Sequence, residues 1–197
     1  MSEALMINPR QEKQIISAQT ANFAPNGNIF TGSVNSVTSN HTIFIDNSGV
    51  QRQIELSREY YNLFVVKDER FIGLSGSFSI IKNRASQYKA LSETEKPNIM
   101  TFPSLFMNTN KEYRRCTDAR QQFYYGIVTE IEEQSKFYKV YFKKTSGQIL
   151  FQQQLNDKSV QLGINKNDGH DVLGESGWTI KQLDLRKALI EVGIYFS

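Results

Sequence analysis

The sequence predicts a mainly β protein with minor α, organised as two small β-barrels in tandem that arose by internal duplication, each followed by a helix. Three observations lead there. Short runs of β-branched and aromatic residues, such as Val34–Val37 and Thr42–Ile45, are bounded by Asn-, Ser- and Gly-containing segments that favour turns. Four blocks recur in the same order, about 94 to 100 positions apart. Phe30-Thr31-Gly32-Ser33-Val34 is answered by Tyr124-Tyr125-Gly126-Ile127-Val128, and Ile43-Phe44-Ile45 by Val140-Tyr141-Phe142. Ile54-Glu55-Leu56 is answered by Gln153-Gln154-Leu155, and Gly76-Ser77-Phe78-Ser79-Ile80 by Ser176-Gly177-Trp178-Thr179-Ile180. Finally, a helical pattern follows the last strand of each copy.

In chain order, residues 1–22 are polar and read as a mobile arm ahead of the first strand. Residues 23–92 form the first barrel with its helix. Gly32 suits a bulge or tight bend at a barrel corner, and Asp46-Asn47-Ser48-Gly49 supplies a turn. Ser57–Leu63 reads as a short helix capped by Ser57, against the competing strand signal of Leu63–Val66. Lys82–Leu91 is helical and stops before Pro97. Residues 93–122 are a linker with one ordered piece at Phe102–Met107. Residues 123–197 repeat the barrel: Gly126 answers Gly32, Thr145-Ser146-Gly147 turns the chain, and Asn165–Asp171 makes a long hairpin loop. A last helix carries Leu183, Leu185, Leu189, Ile190 and Val192 mostly on one face and ends at Gly193. Barrels of three or four short strands bury their inner faces and leave few open edges.

The Gly-x-Val-x-x-Val opening, a second strand of the Phe-x-Val type and a glycine turn into a third strand resemble the first half of an S1-type oligonucleotide/oligosaccharide-binding barrel. They are equally similar to the SH3-like barrels of Tudor and related domains. The resemblance covers roughly 30 residues in each copy and implies a binding module; neither the stacking set of the first family nor the aromatic cage of the second maps residue by residue.

Composition bounds the alternatives. Leu, Ile, Val and Phe supply 54 of 197 residues, well above the roughly 20% below which chains stay disordered. Asn and Gln supply 30, which predicts an uncharged-polar surface. Apolar runs fall far short of a membrane span, and Met1–Arg10 has no basic head followed by an apolar stretch, so an intracellular protein, cytoplasmic or nuclear, is expected. A single cysteine, Cys116, fits a reducing compartment.

The inventory for catalysis is thin, and the chain is expected to be no enzyme and to need no cofactor or metal. His41 reads as a turn residue, and Cys116 as a passive thiol despite Arg114 and Arg115 beside it. Placing Gly169 sixth in a calcium loop puts Glu175 twelfth, but Ile164 and Lys166 then fill ligand positions, so the motif fails. An enzyme built on Asp168, His170, Asp171 and Glu175 is the least favoured alternative.

The stretch Lys111–Lys144 carries eight Lys or Arg against five Asp or Glu, the whole excess of +3. Within it, strand alternation sets Tyr138, Val140 and Phe142 on one face and Phe137, Lys139, Tyr141 and Lys143 on the other. Cations interleaved with rings are what single-stranded nucleic-acid grooves use. The candidate binding residues are Phe137, Lys139, Tyr141 and Lys143, with Arg114, Arg115 and Arg120. The competing readings are a solvated barrel face and a protein-interaction or assembly component; the expected partner is thus nucleic acid, single-stranded by preference, or a protein.

Overall fold

A computed structural model describes residues 41–45, 51–112, 116–145, 148–166 and 170–195. The expected arm, the block at Phe30–Val34 and the turns at Asp46–Gly49 and Ser146–Gly147 lie outside them. Strands β1 (His41–Ile45) and β2 (Gln51–Glu55) pair antiparallel as a separate hairpin. The remaining strands are β3 (Tyr60–Val66), β4 (Ser75–Ile81), β5 (Pro103–Asn108), β6 (Gln122–Glu133), β7 (Phe137–Lys144), β8 (Leu150–Phe151) and β9 (Gly177–Gln182). They form one mixed sheet in the order β4-β7-β6-β5-β3-β9, with β8 on β6. β3 and β5 run parallel, and the other pairs antiparallel.

The middle of this sheet follows from its residues. Tyr61–Val66 and Pro103–Met107 are buried without alternation, and a strand that hides both faces must be covered on both. On one face Tyr61, Leu63, Val65, Leu105 and Met107 pack under α2 (Gln152–Asp157), α3 (Leu185–Glu191) and the loops beside them. On the other, Phe64, Val66 and Phe106 meet an aromatic layer closed by Tyr88 of α1 (Ser86–Ala90), Ile99 and Trp178. The sheet curls over that layer. β4 and β3 are four strand spacings apart, roughly 19 Å if flat, yet the rings of Phe64 and Phe78 stand 5.3 Å apart. A bulge in β6 between Val128 and Glu130 provides the bend. Gln87 of α1 then ties the far edge, its Oε1 accepting the Ile180 N–H at 2.6 Å.

Two separate barrels are thus replaced by one open sheet that draws strands from both expected halves. The segment expected as linker supplies β5 at its centre. The described repeat blocks do not occupy equivalent places: Ile54 and Glu55 end strand β2 while Gln153–Leu155 lie in helix α2, and β4 and β9 are opposite edges of the same sheet. A small barrel buries one face per strand; β3 and β5 bury two, which is the physical reason for the difference. Ser57 caps a turn instead of a helix, its Oγ accepting the N–H groups of Glu59 and Tyr60 at 3.1 Å each. The helix expected at Lys82–Leu91 divides into a 3-10 turn, Lys82–Arg84, and α1. The last helix forms at Leu185–Glu191 with Asp184 as its cap, so Leu183 lies ahead of it, and it stops just before Gly193, which takes φ +81°. No helix among the described residues is long and apolar enough to cross a membrane.

Burial raises the phenol pKa values of Tyr61 and Tyr125 far above the ordinary 10.0. Tyr61 also donates its hydroxyl to the Leu162 carbonyl at 2.8 Å. Above pH 10 the unfolded chain loses these protons and the folded chain keeps them, so stability falls as pH rises, by up to about 1.4 kcal/mol per pH unit for each tyrosine. Lys144 and Lys181, lowered by burial, act with the opposite sign in the window just below 10.5. Tyrosinate absorbance is therefore expected to rise in a cooperative step together with unfolding. A smooth titration of all the tyrosines with structure intact would contradict the burial of this pair.

Candidate functional site

The outer face of β7 carries the expected ribbon. Tyr138, Val140 and Phe142 are buried, and Phe137, Lys139, Tyr141 and Lys143 are half-buried on the opposite face. The register sets Ser77 and Glu130 beside Tyr141, and Ser79 and Glu132 beside Lys139. The Tyr141 hydroxyl donates to Glu132 Oε1 at 2.9 Å, and Lys139 Nζ lies 4.8 Å from the Tyr141 ring centre. Hydrogen bonding to Tyr141, with lesser help from Glu132 and Glu130, holds the Lys139 ammonium above its usual range. The two lysines thus share their face with two glutamates, and the Tyr141 ring is already engaged by a cation.

Arg114 and Arg115 lie outside the described residues. Arg120 lies elsewhere than the ribbon: it lines a cleft of about 530 Å³ together with residues 68–72, 108–109, Lys111, Asp118, Gln121, Gln122 and Tyr124. The cleft opens beyond the carboxyl ends of β3 and β5, the one parallel pair among the described strands, where the loops leaving adjacent parallel strands make a natural crevice. Arg70, Lys111 and Arg120 bring three cations to it; Asp68, Glu69 and Asp118 bring three carboxylates. No ion pair among the described residues joins any of these six.

The rim is held from two sides. Asn108 grips Glu69 through both backbone groups, Oδ1 accepting its N–H at 2.8 Å and Nδ2 donating to its carbonyl at 2.9 Å. Lys144, only 6% exposed, donates from Nζ to the Phe71 carbonyl at 2.6 Å and lies 3.7 Å from the Tyr124 ring centre. Its pKa is pushed down by burial. Just ahead of the first pin Asp68 holds φ +56°, an uncommon backbone state for a residue with a side chain. The floor is an amide network that uses part of the Asn and Gln content expected on the surface. Gln121 Nε2 donates to the Asn108 and Thr109 carbonyls and to Gln152 Oε1, at 3.1, 2.9 and 3.0 Å. Gln152 Nε2 in turn donates to the Asn108 carbonyl at 2.8 Å and to Asn110 Oδ1 at 3.0 Å. The Thr117 hydroxyl donates to Gln121 Oε1, so both polar ends of Gln121 and of Gln152 have partners beneath Lys111 and Arg120.

The described residues of the enzyme alternative have their own partners. Asp168 lies outside the described residues and His170 is exposed. Asp171 accepts from the Leu173 N–H and from Asn110 Nδ2, and Glu175 pairs with Arg84 at 2.9 Å. Among the described residues no group of three His, Cys, Asp or Glu is placed to hold a metal ion. Sequence reasoning missed Arg70 and Lys111; the charged run Asp68-Glu69-Arg70 directly after Leu63–Val66 marks a strand end, the available signal for the cleft. Compared with models of protein families, with curated proteins and with solved structures, the chain matches none.

Proposed function

We propose that this chain is a non-catalytic binding protein for single-stranded nucleic acid, held at the cleft beyond β3 and β5 instead of on the outer face of β7. The observation that carries it is the convergence of Arg70, Lys111 and Arg120, without ion-pair partners among the described residues, on a rim pinned by Asn108 and Lys144. Cations on a pinned rim that pair with no described carboxylate cost little reorganisation when a phosphate arrives. The carboxylates on the same rim keep the field short-ranged. Three phosphate contacts to a single strand give a slope of log K against log salt of about −2. In fluorescence anisotropy with a labelled oligonucleotide, Arg70→Ala with Arg120→Ala is expected to weaken binding at least about 10-fold at low salt, since each replaced contact with a charged group is worth about 1 kcal/mol or more. Lys139→Ala with Lys143→Ala should change it less than about 2-fold. Absence of binding at low salt, or the reverse ranking, would contradict the proposal.

A second reading, a protein-assembly role, is favoured by β4. The Lys144 N–H donates to the Leu74 carbonyl and the Lys82 N–H to the Lys136 carbonyl, so even-numbered residues of β4 bond β7. The backbone groups of Ser75, Ser77 and Ser79 therefore face an edge that no described strand covers, and the strand has no Lys, Pro or bulge to protect it. Concentration-dependent association abolished by Ser77→Lys would support this role; sedimentation as a monomer at all concentrations would remove it.

A further inference from the structure

We infer that the ligand of the cleft carries aromatic bases, and that Phe151 is the ring on which one of them stacks; this rests on the nucleic-acid reading above and names what the site recognises beyond charge. The rings that line the cleft are taken. Tyr124 has Lys144 Nζ 3.7 Å from its centre and Phe71 at 5.2 Å, and Phe71 itself packs against Phe78 and Phe142 at 6.0 and 5.6 Å. Phe151 differs. It is 43% exposed and makes no ring contact with the described residues.

Its position follows from register. β8 pairs with the first residues of β6, setting Leu150 opposite Phe123 and Phe151 opposite Gln122. Leu150 and Phe123 are both buried in the core beneath α2 and α3. Phe151 must then stand on the other face, the one carrying Gln122 and Tyr124, and those two residues line the cleft. Directly opposed residues on one face have Cβ atoms about 5 Å apart. An open phenyl face therefore stands one strand from the cleft wall, next to the turn that carries Arg120. A strand whose phosphates meet Arg70, Lys111 and Arg120 places its bases within reach of this ring, and base stacking is tolerant of sequence because every base has a π-face.

The test compares two polyanions on the full chain: a labelled oligothymidylate and inorganic polyphosphate of equal charge, the second competing for the first. Phe151→Ala is expected to weaken oligothymidylate binding about 5- to 100-fold, with polyphosphate affinity unchanged within about 2-fold and the unfolding midpoint close to wild type. Phe151→Trp is expected to restore or exceed wild-type binding, and Phe151→Leu, which keeps bulk without a π-face, is not. Oligothymidylate binding that is unchanged in Phe151→Ala overturns the inference while leaving the cleft reading intact, as does equal weakening for both anions. If the wild-type chain binds neither anion, both fall together.

Discussion

Trp178→Ala is expected to destabilise the protein by roughly 4 to 5 kcal/mol, about a third or more of the stability of an ordinary domain. The side chain is 1% exposed. Its ring stacks on Tyr88 at 4.3 Å and lies 4.8 Å from Phe64, and Nε1 donates to Asn62 Oδ1 at 3.2 Å. Truncation removes the largest side chain of the aromatic layer and leaves a fully buried amide oxygen without its donor. Trp178→Phe separates the two effects: it keeps most of the apolar contact and isolates the orphaned oxygen, for about 1 to 3 kcal/mol. Equilibrium unfolding in urea measures both. A loss under about 2 kcal/mol for the alanine variant would mean that β9 does not cover β3 and α1 as described.

Gly126→Ala is the second large effect. A methyl group there would sit 2.1 Å from the Lys143 carbonyl oxygen and 2.9 Å from the Lys144 Cα, both backbone atoms. Neither moves unless β6 and β7 part, so a loss of at least about 3 kcal/mol is expected from one added carbon. Gly76→Ala is the comparison: its methyl would meet only the Phe142 ring, at 3.1 Å, and a ring gives way more readily than a carbonyl. The same opening displaces Lys144 from the Phe71 carbonyl, so oligonucleotide binding is expected to weaken along with stability. If Gly126→Ala unfolds within about 1 kcal/mol of wild type, the β6–β7 register is wrong.

Residues differ in how far their sequence revealed their place. The two faces of β7 were legible because one looks outward: Lys139 and Tyr141 alternate with Val140 and Phe142, and half-burial leaves a period of two. β3 and β5 carry no such period. Tyr61–Val66 is apolar at all but one position, and the exception, Asn62, is buried and hydrogen-bonded to Ile99, Ser104 and Trp178. A run of this kind says that both faces are covered, but nothing local says by what. The matched blocks were misleading for a related reason: turns and curled strands call for the same glycines and β-branched residues wherever they occur. Gly126, expected at a bend, is a glycine because another strand's backbone passes against it. For the cleft, Arg120 stood out by charge density. Lys111 lies in the same basic stretch, but joining the two to Arg70 needs the parallel pairing of β3 with β5, which brings two strand ends together across some forty residues and leaves no mark in either segment.

The central claim is that strands from both halves of the sequence form one sheet, with β3 between β5 and β9. Nuclear Overhauser effects across β3 measure this most directly. Backbone contacts are expected from Leu63 to Leu105 on one side and from Phe64 to Trp178 on the other. A β3 whose only cross-strand neighbours lie before residue 93 would contradict the account and restore two separate barrels.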